Sequence, residues 1–151
     1  MEFPYIAVTE TAGQTEQVGR ELAEYIAENR ISDAFVALCG ELGAGKTAFV
    51  RGLVSVLAPG VRVSSPTFTI VNVYSGPEYT VCHCDMYRIE GEDDLFSVGF
   101  YDFSDCVIAA EWCEKIPFAL PDDYIRVEIG KTERGRKIRI ERIYGNACSG
   151  N

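Results

Sequence analysis

Eight consecutive residues restrict this chain more than any others: Gly40-Glu41-Leu42-Gly43-Ala44-Gly45-Lys46-Thr47. They fit G-x-x-x-x-G-K-[ST], a pattern that carries meaning only between a strand and a helix. Both flanks comply. AFVALC (34–39) is a short continuous apolar run of the kind buried in a parallel sheet. Beyond the loop, Phe49, Val50, Leu53, Val54 and Leu57 recur at helical spacing until Pro59-Gly60 stops them. Glycines let the backbone curl around a phosphate, and the turned N–H groups form an anion nest at the positive end of the following helix. Lys46 is then the residue to reach the β- and γ-phosphates, and the Thr47 hydroxyl the group to hold Mg²⁺. The segment reads as a P-loop. By itself it establishes phosphate binding and leaves the reaction open.

The remaining pattern is that of an α/β chain. Thr11-x-x-Gln14 has capping-box form, and Val18, Leu22, Tyr25 and Ile26 follow on one helical stripe. FTIVNVY (68–74) and YTVCHCD (79–85), joined by Ser75-Gly76-Pro77-Glu78, have the composition of a hairpin. GEDDLFSVG (91–99) suggests a short helix ending in glycine, and VIAAE (107–111) a second buried strand. YIRVEIG (124–130) and RKIRIERI (136–143) alternate apolar with charged residues, as strands with one wet face do. The expected fold is α/β: one P-loop NTPase domain over residues 1–151, a central mixed sheet flanked by helices, and a frayed tail from about 144.

Charge and cysteine content narrow the function classes. The net charge of −9 opposes broad electrostatic binding to nucleic acid phosphates. Lys131, Arg134, Arg136, Lys137, Arg139 and Arg142 crowd near the C-terminus, either to face phosphates or as the polar side of a strand. No apolar run reaches the ~20 residues needed to span a bilayer, and MEFPYIAVTE lacks the basic end of a signal peptide, so the cytoplasm is the expected location. Six cysteines then read as reduced thiols. Cys82-His83-Cys84 invites a metal reading, but without a C-x-x-C pair the two cysteines fit better as small hydrophobes sharing one strand face.

Two carboxylates stand where a P-loop would use them. Glu111 closes the apolar run VIAA and Asp85 closes YTVCHCD, so each would sit at the C-terminal edge of a strand, where open α/β sheets bind ligands. Either could equally mark a strand end. Ser64-Ser65-Pro66-Thr67-Phe68-Thr69 is a γ-phosphate-sensing loop or an ordinary turn. GTPase motifs D-x-x-G and N/T-K-x-D are missing, which favours ATP. Three readings remain: a partner-coupled ATPase, a small-molecule kinase with the 131–142 segment as lid, and a nucleotide-binding module without turnover.

The series GELGAGKT (40–47), SSPTFTIVNVY (64–74), HCDMYRI (83–89) and AEW (110–112), then LP (120–121), resembles the TsaE (YjeE) family. The likeness runs from about residue 8 to 143. It implies an ATP-hydrolysing, Mg²⁺-dependent accessory protein for the N6-threonylcarbamoyladenosine modification of adenosine 37 in tRNA. Such a protein acts on a complex of TsaD and TsaB and leaves the threonylcarbamoyl transfer to TsaD. It implies phosphate binding along Gly43, Ala44, Gly45, Lys46, Thr47 and Ala48, and Mg²⁺ on Thr47 and Glu111. Asp85 becomes the hydrolysis-critical carboxylate, with Lys46 and Glu111 beside it in catalysis. Thr67 falls in a switch-like loop, Trp112 sits beside the site, and Thr15 and Arg136 match positions flanking the nucleotide. Cysteines around His83 depart from the apolar or aromatic residues more usual there. The acidic charge suits a protein whose partners hold the tRNA.

Overall fold

The computed structural model describes residues 1–41, 44–64 and 71–145. Within them run seven strands: β1 (Tyr5–Thr9), β2 (Phe35–Cys39), β3 (Val71–Ser75), β4 (Thr80–Asp85), β5 (Val107–Glu111), β6 (Tyr124–Lys131) and β7 (Arg136–Ile143). The α-helices are α1 (Ala12–Glu28), α2 (Lys46–Leu57) and α3 (Glu92–Ser97), with 3-10 turns at Phe100–Asp102, Cys113–Lys115 and Pro117–Ala119.

Continuous burial marks the middle of the sheet. β2 is buried from Phe35 through Leu38 and lies between β5 and β6, parallel to both. β4 continues the parallel core beyond β5, and the antiparallel strands β3, β7 and β1 complete the order β1-β7-β6-β2-β5-β4-β3. This is the mixed sheet expected from the residue pattern. The hairpin β3–β4 pairs as anticipated, with Gly76 N–H donating to Tyr79 O at 2.8 Å. The start of its first apolar run, 68–70, lies outside the described residues.

Strand alternation sends side chains to two different cores. Val36, Leu38, Val81, Val107, Ala109, Val127 and Ile138 face α1 and α2, whose Leu22, Ile26, Phe49 and Leu53 are fully buried. Phe35, Ala37, Cys82, Cys84 and Ala110 face the other way, under Met86, Ile89, Leu95, Phe100 and Ile116. Half of the expected α1 capping box forms, Thr11 Oγ1 accepting from Gln14 N at 3.1 Å; Gln14 Oε1 accepts instead from Glu10 N, one residue before the cap, at 2.6 Å. Gly99, after α3, takes φ 75, a left-handed conformation that glycine adopts freely. Gly145, at the start of the expected tail, donates its N–H to Asp123 Oδ1 at 3.0 Å. No helix among the described residues is long and apolar enough to cross a membrane.

β1 was not legible in the sequence. Its apolar Ile6 and Val8 point to solvent while Tyr5, Ala7 and Thr9 turn inward, the reverse of the usual pattern. The strand exists because β7 offers it a hydrogen-bonding edge. Tyr5 also ties it to α1: the phenol donates to Glu21 Oε2 at 2.6 Å, and that hydrogen bond together with burial pushes its pKa up to about 12.

The α1–α2 crossing brings the two backbones together. A Cβ on Gly52 would lie 1.9 Å from Glu16 O, and one on Gly19 would lie 2.1 Å from Phe49 O. Gly52→Ala should therefore destabilise the protein by about 2 kcal/mol, overpacking outweighing the ~1 kcal/mol that alanine gains as a helix former. Gly13→Ala, at an exposed helical site with only Thr11 Oγ1 at 3.8 Å, should be neutral or stabilising. Urea denaturation of both variants decides this, and equal stabilities would refute the close-contact account.

The buried thiols give a second check. Burial pushes the Cys82 thiol up to about 12 and holds Cys84 well above its ordinary range, with Cys82 Sγ 3.3 Å from Cys106 Sγ. Thiolates do the alkylating chemistry, so iodoacetamide at pH 8 should label half-buried Cys39 in the folded protein and spare Cys82, Cys84 and Cys106. Peptide mass spectrometry reads the order. Early labelling of Cys82 would show that its strand is not packed as described.

Candidate nucleotide-binding site

The carboxyl ends of β2, β4 and β5 lie side by side, and the candidate residues gather there. β2 runs out at Cys39 into Gly40, whose φ of 149 suits glycine and whose Cβ would stand only 2.4 Å from Ile129 O. No side chain fits between the loop and β6. Ala44 N–H donates to Glu41 O at 3.1 Å, and Gly45, in the left-handed conformation at φ 106, turns the chain into α2. Ala44 and Ala48 are buried, which seats the loop on the core. Gly43 lies outside the described residues.

Lys46 is the electrostatic centre of the site. It is only 5% exposed, at the first position of α2. Its Nζ donates to Gly40 O at 2.8 Å and stands 4.3 Å from the centre of the Trp112 ring. No carboxylate pairs with it among the described residues. Buried charges ordinarily have a counter-charge, and here the helix N-terminus adds a further positive end. A carbonyl and a ring face leave that charge unneutralised, so the cradle fits an anion. Thr47, half-buried in the same first turn, adds a hydroxyl.

The carboxylates come from adjacent strands. Asp85 and Glu111 are Cα partners at the ends of β4 and β5, and Met86 N–H donates to Glu111 O at 3.0 Å to lock the two ends together. Asp85 Oδ1 accepts from Tyr87 N at 3.0 Å, an Asx turn that fixes its side chain. Glu111 is 7% exposed and shares Oε2 with His83 Nε2 at 2.6 Å. Oxygen donors of this kind suit a hard cation such as Mg²⁺. Trp112 follows at φ 60, a left-handed conformation that costs a residue with a Cβ about 1–2 kcal/mol. Its ring also packs on Tyr87, centroids 5.1 Å apart.

Thr15 and Arg136 approach the loop from the opposite side. Thr15 is buried, its Oγ1 lies 2.8 Å from Thr9 Oγ1, and a Cβ on Gly45 would meet its methyl at 3.6 Å. Arg136 Nε donates to Ala44 O at 2.9 Å, so β7 holds the loop directly. The rest of the basic segment divides: Lys137 and Arg139 are exposed on the opposite strand face, and Arg142 donates to Tyr25 Oη at 2.6 Å. Thr67 lies outside the described residues; Ser64, just before it, receives the Tyr74 hydroxyl on its carbonyl at 3.1 Å.

Sequence reasoning passed over His83. The period-two rule that placed Cys82 and Cys84 on one face also places His83 and Asp85 on the other, the face of α2 and the P-loop. His83 is fully buried there against Glu111, and the cysteines are turned away from it. The three residues of Cys82-His83-Cys84 therefore cannot converge on one ion.

Comparison with known proteins identifies relatives of this chain. The family model described as Threonylcarbamoyl adenosine biosynthesis protein TsaE matches residues 9–138. Proteins named tRNA threonylcarbamoyladenosine biosynthesis protein TsaE are similar over most of their length. That of Treponema pallidum is 34% identical over 126 residues, 81% of this chain and 88% of the relative. That of Haemophilus influenzae is 33% identical over 125 residues, 81% of this chain and 79% of the relative. The crystal structure of Bacillus subtilis YdiB superposes with a TM-score of 0.70 at 23% identity, covering 99% of this chain and 92% of that one, a likeness of fold. With the family model spanning the P-loop, both carboxylate strands and β6, the chain belongs to the TsaE family.

Proposed function

We propose that this chain is a Mg²⁺-dependent P-loop ATPase of tRNA N6-threonylcarbamoyladenosine biosynthesis, acting as one domain over residues 1–151 in association with TsaB and TsaD. One observation carries the reading: a buried Lys46, with no carboxylate partner among the described residues, shares the carboxyl edge of the sheet with paired Asp85 and Glu111. In this reading Gly43, Ala44, Gly45 and Ala48 present the loop backbone to the phosphates. Lys46 exchanges Gly40 O for β- and γ-phosphate oxygens. Thr47 and Glu111 are the residues that would hold Mg²⁺, which when bound neutralises charge on those oxygens. Asp85 orients the attacking water and takes up its proton. Trp112 walls the site beside Lys46, Thr15 and Arg136 flank the nucleotide, and Thr67 belongs to the loop that follows the state of the γ-phosphate. Family membership supports the tRNA-modification role, and the acidic charge fits a protein that leaves tRNA to its partners.

Removing each group separates binding from turnover. Lys46→Ala should weaken ATP binding at least about tenfold, the order of a lost charge-assisted hydrogen bond. Glu111→Gln and Asp85→Asn should retain nucleotide while phosphate release falls by about 10²-fold or more, the range of a lost acid–base group. Calorimetry and a phosphate assay measure the two. Hydrolysis unchanged in all three variants would sink the assignment, and a phosphorylated small-molecule acceptor in place of free phosphate would indicate a kinase.

Coupling to partners has its own test. The chain should be retained by immobilised TsaB–TsaD, and ATP should alter the amount retained. No retention with or without ATP would reduce the reading to a generic ATPase.

A further inference from the structure

His83 has no place in the chemistry set out so far, yet it makes the closest contact to one of its carboxylates. The side chain is fully buried, and it stands on β4 opposite Ala109, two positions short of the Asp85–Glu111 pair. From there it reaches diagonally along one sheet face to Glu111 Oε2 at 2.6 Å. An ionised carboxylate only accepts hydrogen bonds, so Nε2 donates to it. Nδ1 is buried and has no partner among the described residues. A buried polar atom without a protein partner carries a desolvation cost, and the ring's hydrogen bond among the described residues is the one to Glu111. What the placement secures is the direction of Glu111, which otherwise ends a strand just before a backbone reversal at Trp112.

We propose that His83 is a positioning residue: its Nε2–H grips Glu111 Oε2 and thereby presents the other carboxylate oxygen to the metal ion. The inference rests on the reading of Glu111 as a metal-holding residue. Outer-shell partners of metal ligands typically change affinity by about 10–100-fold when removed. The spacing explains the motif His83-x-Asp85: period two puts the positioning imidazole and Asp85 on one face, with Glu111 across from them on β5.

Manganese binding to the full chain saturated with ADP, followed by electron paramagnetic resonance, tests this without recourse to turnover. His83→Gln carries its amide nitrogen near the position of Nε2 and should keep most of the Mn²⁺ affinity. His83→Asn falls short of Glu111, and His83→Leu has no donor. Both should lose about 10–100-fold in Mn²⁺ affinity while binding ADP as before in the absence of metal. If the leucine variant fails to fold by circular dichroism, the glutamine–asparagine comparison decides. Equal Mn²⁺ affinity in the folded glutamine and asparagine variants, with Glu111→Gln weakened, overturns the role of His83 and leaves that of Glu111 standing. Unaltered Mn²⁺ affinity in Glu111→Gln overturns both.

Discussion

An ammonium group buried at the start of a helix, with no carboxylate to neutralise it among the described residues, is the constraint around which the rest of this structure is arranged. Lys46 is held by Gly40 O and the Trp112 ring, both of them weak substitutes for a counter-charge. Keeping it there requires a loop that cannot relax. Gly40 lies against β6 too closely for any side chain, Gly45 makes a left-handed turn, and Arg136 clamps Ala44 O from β7. The central position of β2 supplies the anchorage, because its neighbours β5 and β6 hold the strand from both sides.

The same logic governs the carboxylates. Asp85 and Glu111 reach the site because β4 and β5 are parallel and in register, so their last residues fall side by side at one edge. Burial alone would make Glu111 costly, since a charge removed from water needs good hydrogen bonds to compensate. His83 meets part of that need, and Met86 N–H anchors the backbone of the same residue. Alternation along β4 keeps Cys82 and Cys84 out of this polar row and in the apolar layer beneath α3. One strand thus serves two environments without mixing them.

Several elements were legible because burial there is simple. AFVALC and VIAA are apolar throughout and became the body of the central strands β2 and β5; the α1 and α2 stripes repeat at helical spacing and became the layer above. β1 was not legible, since Ile6 and Val8 face water and only the edge of β7 makes that segment a strand. Nor could the basic segment be divided in advance. Arg136 and Lys137 are adjacent in sequence, yet one turns to the P-loop and the other to solvent, because neighbouring strand residues point to opposite faces.

By itself the sequence determined the local chemistry: a glycine-rich turn leading into a helix, a lysine and a hydroxyl at its start, and acidic residues closing two apolar runs. Local covalent constraints and hydrophobic periodicity suffice for that, because they act within a few residues. Which strands lie next to one another, and therefore that Glu111 would meet both Asp85 and His83, was decided only by the tertiary structure. Those contacts join residues 26 and 28 positions apart, through strand pairing and register that no short-range pattern encodes.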